Sequence, residues 1–568
     1  MLKFIHKTAL PLIVFMAMAL QTQAVNIYVD WQATGTNNGS SWTNAYTSLA
    51  TAIANANAGD GIYVAQGTYA NNGSHFTLKE GVRLFGGCPP PGAVLDFFRI
   101  LFRNPTNYPT ILTGNNVIRI NNSLSDATSI NGFRIQASNT GVQIGFLTNP
   151  IDVQLTIGDC IFSGGNNGVQ IAFPSFFGPS TISPKFVKCE FTNLTGGLNM
   201  ITGGLNNDTD QFHPQFNRCK FHNVTNSVQM EHVRGSMRPH FEHCSFYNNN
   251  GHVIRNVGFG IYTNQPIQCY CPPSYNYNPT FVNSEFYNNN GVVDALLGIA
   301  NQNGDLSVDF TSCTIWNNNT PQGSSKRAFN VSIRDCLLNI FRTETALKFQ
   351  NSILWDNGET AGSAWMQLAR GMQVTMDHSL IQANSCAGGD PAFILGPAAA
   401  INCGNGMKYN LNPQFVSASV TNPNLRLSAF SPARNTGSRG IHAPIPNDVD
   451  LAGIARVLES KIDMGAYEYC PSQGGCIVAA RSLRQTKQQV LDNHIQITTY
   501  PNPVKGTITV KTGHQIEIKA LQLMTIEGKV VKGNTRHHQL DVQDVPKGLY
   551  LLKVQTDFGT KILRVVKE

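Results

Sequence analysis

A short motif recurs along the middle of the chain: Asp159-Cys160-Ile161-Phe162, Lys188-Cys189-Glu190-Phe191, Arg218-Cys219-Lys220-Phe221 and His243-Cys244-Ser245-Phe246. Successive cysteines are 29, 30 and 25 residues apart, and looser copies follow at Ser284-Glu285-Phe286, Ser312-Cys313-Thr314-Ile315 and Asp335-Cys336-Leu337-Leu338. Self-similarity at such a period marks a solenoid, whose windings bury apolar surface only against their neighbours. Strand side chains alternate faces, so Cys and Phe, two apart, point inward while the residues flanking them point to water. Small Cys over Cys and Phe over Phe, at the roughly 4.8 Å spacing of adjacent strands, fill a narrow interior without voids. The pattern predicts a parallel β-helix. Its turns are rich in Asn, as at Asn248-Asn249-Asn250-Gly251, Asn288-Asn289-Asn290-Gly291 and Asn317-Asn318-Asn319. Asn tolerates left-handed backbone, and stacked amides hydrogen-bond from winding to winding.

At 568 residues the chain exceeds one compact core, but a solenoid grows by adding windings, so length does not count domains. Charged residues make up 13%, about half the usual share, which fits a turn-dense β architecture. The net charge of +7 falls to +5 without Lys3 and Lys7, too weak and diffuse for a nucleic-acid partner. Those lysines precede an apolar run over 9–20 and the short residues Thr22 and Ala24, so 1–24 reads as a secretory signal peptide. No later stretch approaches the roughly 18 apolar residues of a membrane span, and no transmembrane segment is expected. Of thirteen cysteines, Cys160, Cys189, Cys219, Cys244, Cys313 and Cys336 sit in the repeat column. Parallel side chains inside a tube are poorly aimed for disulfides, so free thiols are expected there. Cys470 with Cys476, Cys386 with Cys403, and Cys269 with Cys271 or Cys88 are the candidate bridges.

Residues 25–69 read as an N-terminal cap and first coil. Ile27, Tyr28 and Val29 form a strand, and Leu49, Ala52, Ile53 and Ala56 fall at helical spacing, ended by Gly59, in a helix suited to plug the open tube. The stretches Asn37-Asn38-Gly39-Ser40-Ser41-Trp42, Gly59-Asp60-Gly61-Ile62-Tyr63-Val64-Ala65 and Gly67-Thr68-Tyr69 resemble the opening of bacterial right-handed parallel β-helix proteins of the pectin-lyase-like superfamily. The resulting all-β expectation is a right-handed β-helix over 70–470. Its windings, about a dozen in number, run to about residue 440 and form a rod on the order of 60 Å long. A closing segment at 408–469 is marked by Pro413-Gln414-Phe415, Leu425-Arg426-Leu427, Ser431-Pro432-Ala433 and Asp463-Met464-Gly465-Ala466-Tyr467-Glu468.

A polar stretch over 471–494 reads as a linker. Beyond it, 495–568 offers short strands at 507–510, 516–518, 549–554 and 562–566 between glycines, the pattern of a small β-sandwich. Tyr500-Pro501-Asn502-Pro503, Glu527-Gly528-Lys529-Val530 and Pro546-Lys547-Gly548-Leu549-Tyr550-Leu551-Leu552 resemble, in order, the C-terminal sorting domain of type IX secretion cargo. The resemblance implies a sorting motif at Tyr500, Pro501, Asn502, Pro503, Gly548 and Tyr550, with the type IX secretion machinery as partner. It also implies a route through the periplasm of a Gram-negative bacterium to the outside of the outer membrane. The cargo is there released or attached to surface lipopolysaccharide. A terminal sandwich on a linker is also the form of a binding module.

The flat faces of a β-helix suit an extended polymer, and the motif supplies one. Its outward columns are expected to be Asp159, Lys188, Arg218, His243, Asn283, Ser312, Asp335 and Ile161, Glu190, Lys220, Ser245, Glu285, Thr314, Leu337. Positive charge gathers on the middle windings, with His222, Arg234, Arg238 and His252 near in sequence. The expected ligand-binding residues are therefore Lys188, Glu190, Arg218, Lys220, His222 and His243, and the expected ligand is an anionic polysaccharide or a host surface. A glycan lyase needs a base beside a uronate and a cation or Arg on its carboxylate; Arg218, Lys220 and His243 are the catalytic candidates for that chemistry. A glycoside hydrolase needs two carboxylates, and Asp208-Thr209-Asp210 offers a pair that reads better as a turn. No cofactor is expected beyond a Ca2+ ion: Asp448, Asp450, Asp463 and Glu468 offer oxygens for one, though carboxylates capping backbone amides are the preferred account. A zinc set of Cys219, His222, His243 and Cys244 is set aside, because alternation sends the sulfurs inward and the imidazoles outward. Three functions stand in order: an adhesin-like binder of extended glycan, a polysaccharide lyase or hydrolase, and a structural rod whose like charges keep neighbours apart. Exposed aromatics along the face favour binding; a base clustered with a cation site favours the enzyme.

Overall fold

Phenylalanine at one strand position per face decides the architecture. Phe162, Phe191, Phe221, Phe246 and Phe286 stack with ring centroids 4.5–4.9 Å apart. A second column, Phe186, Phe216, Phe241, Phe281, Phe310 and Phe349, stacks at 4.6–5.2 Å. The two columns meet edge to face, as at Phe191 and Phe216, 6.1 Å apart at 64°. Burying each ring stabilises the fold by ~2–3 kcal/mol, and the ring geometry adds about 1 kcal/mol more.

The computed structural model describes residues 24–93, 96, 99–145, 150–173, 179–202, 210–232, 235–258, 275–298, 307–319, 327–334, 344–358, 363–440, 449–457, 461–471, 497–512, 518–525, 529–535, 538–556 and 559–568. The expected signal peptide, save Ala24, and the expected linker, save Pro471, lie outside them, as do Asp208, Arg234, Cys269, Cys271, Asp335, Cys336, Leu337, Asp448 and Cys476.

The chain is a right-handed parallel β-helix followed by a small β domain. One winding illustrates all. Strand Lys185–Val187 leads through a corner at Lys188 and Cys189 into Glu190–Thr202, which bends at Asn193 from one face to the next; Gln211–Phe212 and Gln215–Asn217 then begin the following turn. Pairing is in register, with Phe186 opposite Phe216, Phe191 opposite Phe221 and Leu198 opposite Val228. One sheet has 13 parallel strands, from Asn26–Val29 to Ala400–Cys403, a length of about 60 Å at the usual strand spacing.

Helix Leu49–Asn55 covers the first winding. It begins where Ser48 Oγ accepts from Thr51 N, and Leu49, Ala52 and Ile53 are buried beneath it, as the helical spacing predicts. At the other end the structure corrects the expected length: among the described residues the windings end with strand Lys408–Tyr409, well before 440. From there the chain turns back along the side of the rod.

The motif's first residue is also corrected. Asp159, Lys188, Arg218, His243, Asn283 and Ser312 are not outward strand residues; each has a positive φ between 48 and 56°, in the left-handed region. They form a corner between two faces, and the cysteine completes it with its sulfur inward. Cys189, Cys219, Cys244 and Cys313 each donate from Sγ to a carbonyl of the preceding winding, at Ile157, Phe186, Phe216 and Phe281, 3.3–3.5 Å away. Serine takes the same place at Ser352, whose Oγ donates to Phe310 O. Hence Thr314 pairs with Ile353, and the next copy of the motif is Asn351-Ser352-Ile353-Leu354 rather than 335–338.

The Asn-rich turns carry the expected amide ladder. Asn249, Asn289 and Asn318 are buried, and each donates from Nδ2 to the Oδ1 of the next, ending on Asn357, over 2.7–3.0 Å. The column thiols of the described residues are free, as expected, and Cys386 is bridged to Cys403. Cys470 is also disulfide-bonded, whereas Cys88 is a free buried thiol, contrary to its candidate pairing.

The C-terminal residues fold into two antiparallel sheets. One comprises Ile497–Tyr500, Thr507–Thr512 and Gln539–Asp541; the other comprises Val530–Thr535, Ile518–Met524, Gly548–Thr556 and Gly559–Lys567. Of the strand expected at 516–518, Ile518 opens the described strand Ile518–Met524 and 516–517 lie outside the described residues. Ile508, Leu521, Leu523, Leu552 and Val565 form part of their shared core. Asn502 of the sorting motif ties the first strand to the last, accepting from Val566 N and donating to Arg564 O, both at 2.8 Å.

Candidate binding face

Between the Cys corner and the Asn corner each winding turns two side chains outward, on either side of the buried Phe, Ile or Leu. The first outward column reads Ile161, Glu190, Lys220, Ser245, Glu285, Thr314 and Ile353. It is no positive stripe, since Lys220 stands between Glu190 and Ser245 with Glu285 next. The second column reads Ser163, Thr192, His222, Tyr247, Tyr287, Trp316 and Trp355. Sequence reasoning reached it only at His222 and missed its aromatic members. The signal was present as the residue after each Phe, or after Ile315 and Leu354.

This second column is an aromatic ladder. His222 lies flat on Tyr247, 4.8 Å away at 6°, and Tyr247 on Tyr287, 5.1 Å away at 7°. Hydrogen bonds fix the imidazole. Asn223 Nδ2 can only donate, so His222 Nδ1 accepts from it at 3.2 Å, and Nε2 carries the proton donated to Glu190 Oε1 at 3.1 Å. Burial, reinforced by Glu190 and Glu285, raises the Tyr247 phenol above its ordinary pKa, and burial first raises that of Tyr287. Both rings therefore remain neutral platforms.

The other expected site residues divide sharply. Lys188 is exposed at the corner, Arg218 is half-buried there, and Lys220 is exposed on the face. His243 is buried, 4% exposed, and its Nε2 donates to Val449 O at 2.7 Å, so it belongs to neither the ligand-binding nor the catalytic set. The reason is the returning chain, which lies across this face. Asn283 Nδ2 donates to Val449 O, Tyr467 OH to Glu285 Oε2 and Asn288 Nδ2 to Val420 O, at 3.1, 2.8 and 2.7 Å. One rung further, Ala466 N donates to Thr314 Oγ1, and Gly465, at φ 94°, approaches so closely that a Cβ would stand 2.7 Å from that oxygen. Trp316 is consequently 2% exposed, while His222, Tyr247 and Tyr287 remain part-exposed.

The acidic residues of the returning segment are held by protein groups. Asp450 accepts from Ile454 N and Glu468 N, Asp463 from Asn435 N and Tyr469 N, and Glu468 from Asp463 N and from the buried Arg456 at 3.2 Å. Their chemistry is that of caps and an ion pair, and among the described residues no group of three or more His, Cys, Asp or Glu is disposed to hold a metal ion. Asp210 is buried and accepts from Ser180 N at 2.8 Å, a role in the ladder of the short strands. His252 meets Arg327 O at 3.3 Å, and Arg238 is exposed beyond the face, after Gly235–Met237.

Comparison with known proteins bears on the two parts separately. The β-helix is similar in chain path to the crystal structure of a pectate lyase, Pel9A, at 13% identity, covering 78% of this chain and 96% of that one with a TM-score of 0.45. It is also similar to a rhamnogalacturonan lyase (13% identity, 72% and 96% covered, TM-score 0.35) and to the GH136 lacto-N-biosidase of Eubacterium ramulus (8% identity, 68% and 68% covered, TM-score 0.36). No curated protein matches the sequence. Residues 498–568 match the secretion system C-terminal sorting domain. The protein is thus an exported β-helix, cargo of the type IX route bound for the cell surface or the medium. Among the described residues no helix is long and apolar enough to cross a membrane.

Proposed function

We propose that the β-helix binds an extended extracellular glycan along its aromatic ladder, as a surface-held or released protein. The supporting observation is the stack of His222, Tyr247 and Tyr287, part-exposed on the same face as Lys220 and Glu190. Sugars present apolar C–H faces and hydroxyl rims, so they suit flat rings bordered by charged and amide groups. Attachment to surface lipopolysaccharide is one end of the export route, and release is the other. The mature protein, incubated with acidic and neutral polysaccharides, is expected to retain at least one of them. Tyr247→Ala should weaken that retention about tenfold, a loss of ~1.4 kcal/mol, and Tyr247→Phe should preserve most of it. Retention of none, or of the same one by Tyr247→Ala, would leave the rod as the better description.

Lyase chemistry is the second reading. It is favoured by Arg218 and Lys220, which carry no ion pair among the described residues and flank the ladder. New unsaturated ends that vanish in Lys220→Ala while retention persists would establish it.

A further inference from the structure

The open face has one blind end. On the windings of Ile161–Ser163, Glu190–Thr202, Lys220–His232 and Ser245–Tyr247, the hydrogen bonds made by the outward side chains of the face stay within the face, as between Glu190 and His222 or Thr192 and His222. At the next winding the returning chain meets both corners and the first outward column, having touched the Cys corner one winding earlier at His243, and Tyr287 of the second column stays part-exposed. It holds the Cys corner through Asn283, the first outward column through Glu285 and the Asn corner through Asn288. The ladder itself runs on beneath it to Trp316 and Trp355. In the wall Tyr467 OH donates to Glu285, and Arg426, within strand Asn424–Leu427, places its guanidinium 5.5 Å from the Tyr467 ring centroid. Arg426 is exposed, so the wall carries an accessible cation beside Tyr467.

We infer that this face takes a glycan by its end: a terminal sugar carrying a carboxylate abuts Tyr467 and Arg426, and the following sugars lie over Tyr247 and His222 toward the N-terminal end of the rod. The inference rests on the glycan-binding reading above and specifies which part of the polymer is bound. A chain passing through would have to cross a segment fastened at three points of one winding, whereas a chain end meets a planar guanidinium suited to bidentate capture of a carboxylate.

The test uses the full mature chain and two length series, galacturonate oligomers and alginate oligomers, each with free termini and with the terminal carboxylates amidated. Affinity per chain is expected to rise with length only until the open windings are filled and then to level off. Amidation should weaken binding about tenfold, and Arg426→Ala should abolish the difference between free and amidated chains. Affinity per chain that keeps climbing with length, with no effect of amidation, would overturn end recognition while leaving glycan binding intact. Failure of both series to bind, at any length, would overturn end recognition of acidic chains, and neutral polysaccharides retained in the panel would then show that the wider glycan reading survives.

Discussion

Asn289 commits its whole side chain to its neighbours. Its Nδ2 donates to Phe246 O and Asn318 Oδ1, and its Oδ1 accepts from both the backbone and the amide of Asn249. Asn289→Ala leaves buried donors on Asn249 without a partner and should destabilise the protein by ~2–4 kcal/mol. Asn248→Ala, an exposed side chain on backbone at φ 53°, should cost only ~1 kcal/mol for the left-handed conformation. Urea midpoints of the two variants check this, and equal midpoints would deny the ladder a stabilising role. The turns could be read from the Asn triplets, because the first Asn of each, Asn248, Asn288 and Asn317, favours the left-handed conformation it adopts and sets the second in the ladder. The Cys corner could not, since Lys188 and Arg218 are residue types that seldom take a positive φ. There the strands paired on both sides impose the turn, and strand alternation alone misassigned it. The aromatic column was hidden differently: it opens with Ser163 and Thr192, so its character emerges only from His222 onward.

The returning segment is the element whose placement decides which windings stay open. Its markers were visible in sequence, but its position was not, because His243 and Val449 lie 206 residues apart and no local pattern relates them. Glu285, Asp450, Asp463 and Glu468 are buried in or under it with Arg456. Burial raises all four carboxyls above their ordinary values, outweighing the hydroxyls of Ser245 and Tyr467 at Glu285 and the backbone amides and Arg456 at the other three. A carboxyl raised on folding binds its proton more readily in the native state, so in the window above the ordinary values of 3.8 and 4.5 the folded form holds more protons. Stability of the segment should therefore increase as pH falls from neutral toward about 5 and decrease as it rises. Hydrogen exchange over 413–440, corrected for intrinsic rates, should show slower opening at the lower pH, with Glu285→Gln reducing the dependence. Faster opening on acidification would contradict the assignment.

For the whole molecule, the two cores share no residue: one ends with the windings, and the other lies between Val504 and Val565. A chain stopped after residue 471 should therefore keep its β-helix, by circular dichroism and thermal unfolding, yet fail to appear outside the outer membrane on fractionation. Its export at full-length levels would show that the tail does not supply the address. The tail was legible because its motifs are short-range and ordered, and the solenoid because its period repeats; the function was less so, since it depends on which windings a distant segment shades. The sulfurs of the inner column have a consequence for how such cargo matures. Held as donors to carbonyls rather than joined in pairs, they ask for no oxidant, so assembly of those coils need not wait on the redox chemistry of the compartment they cross. Among the described residues the bonded cysteines, Cys386, Cys403 and Cys470, are the ones that depend on it.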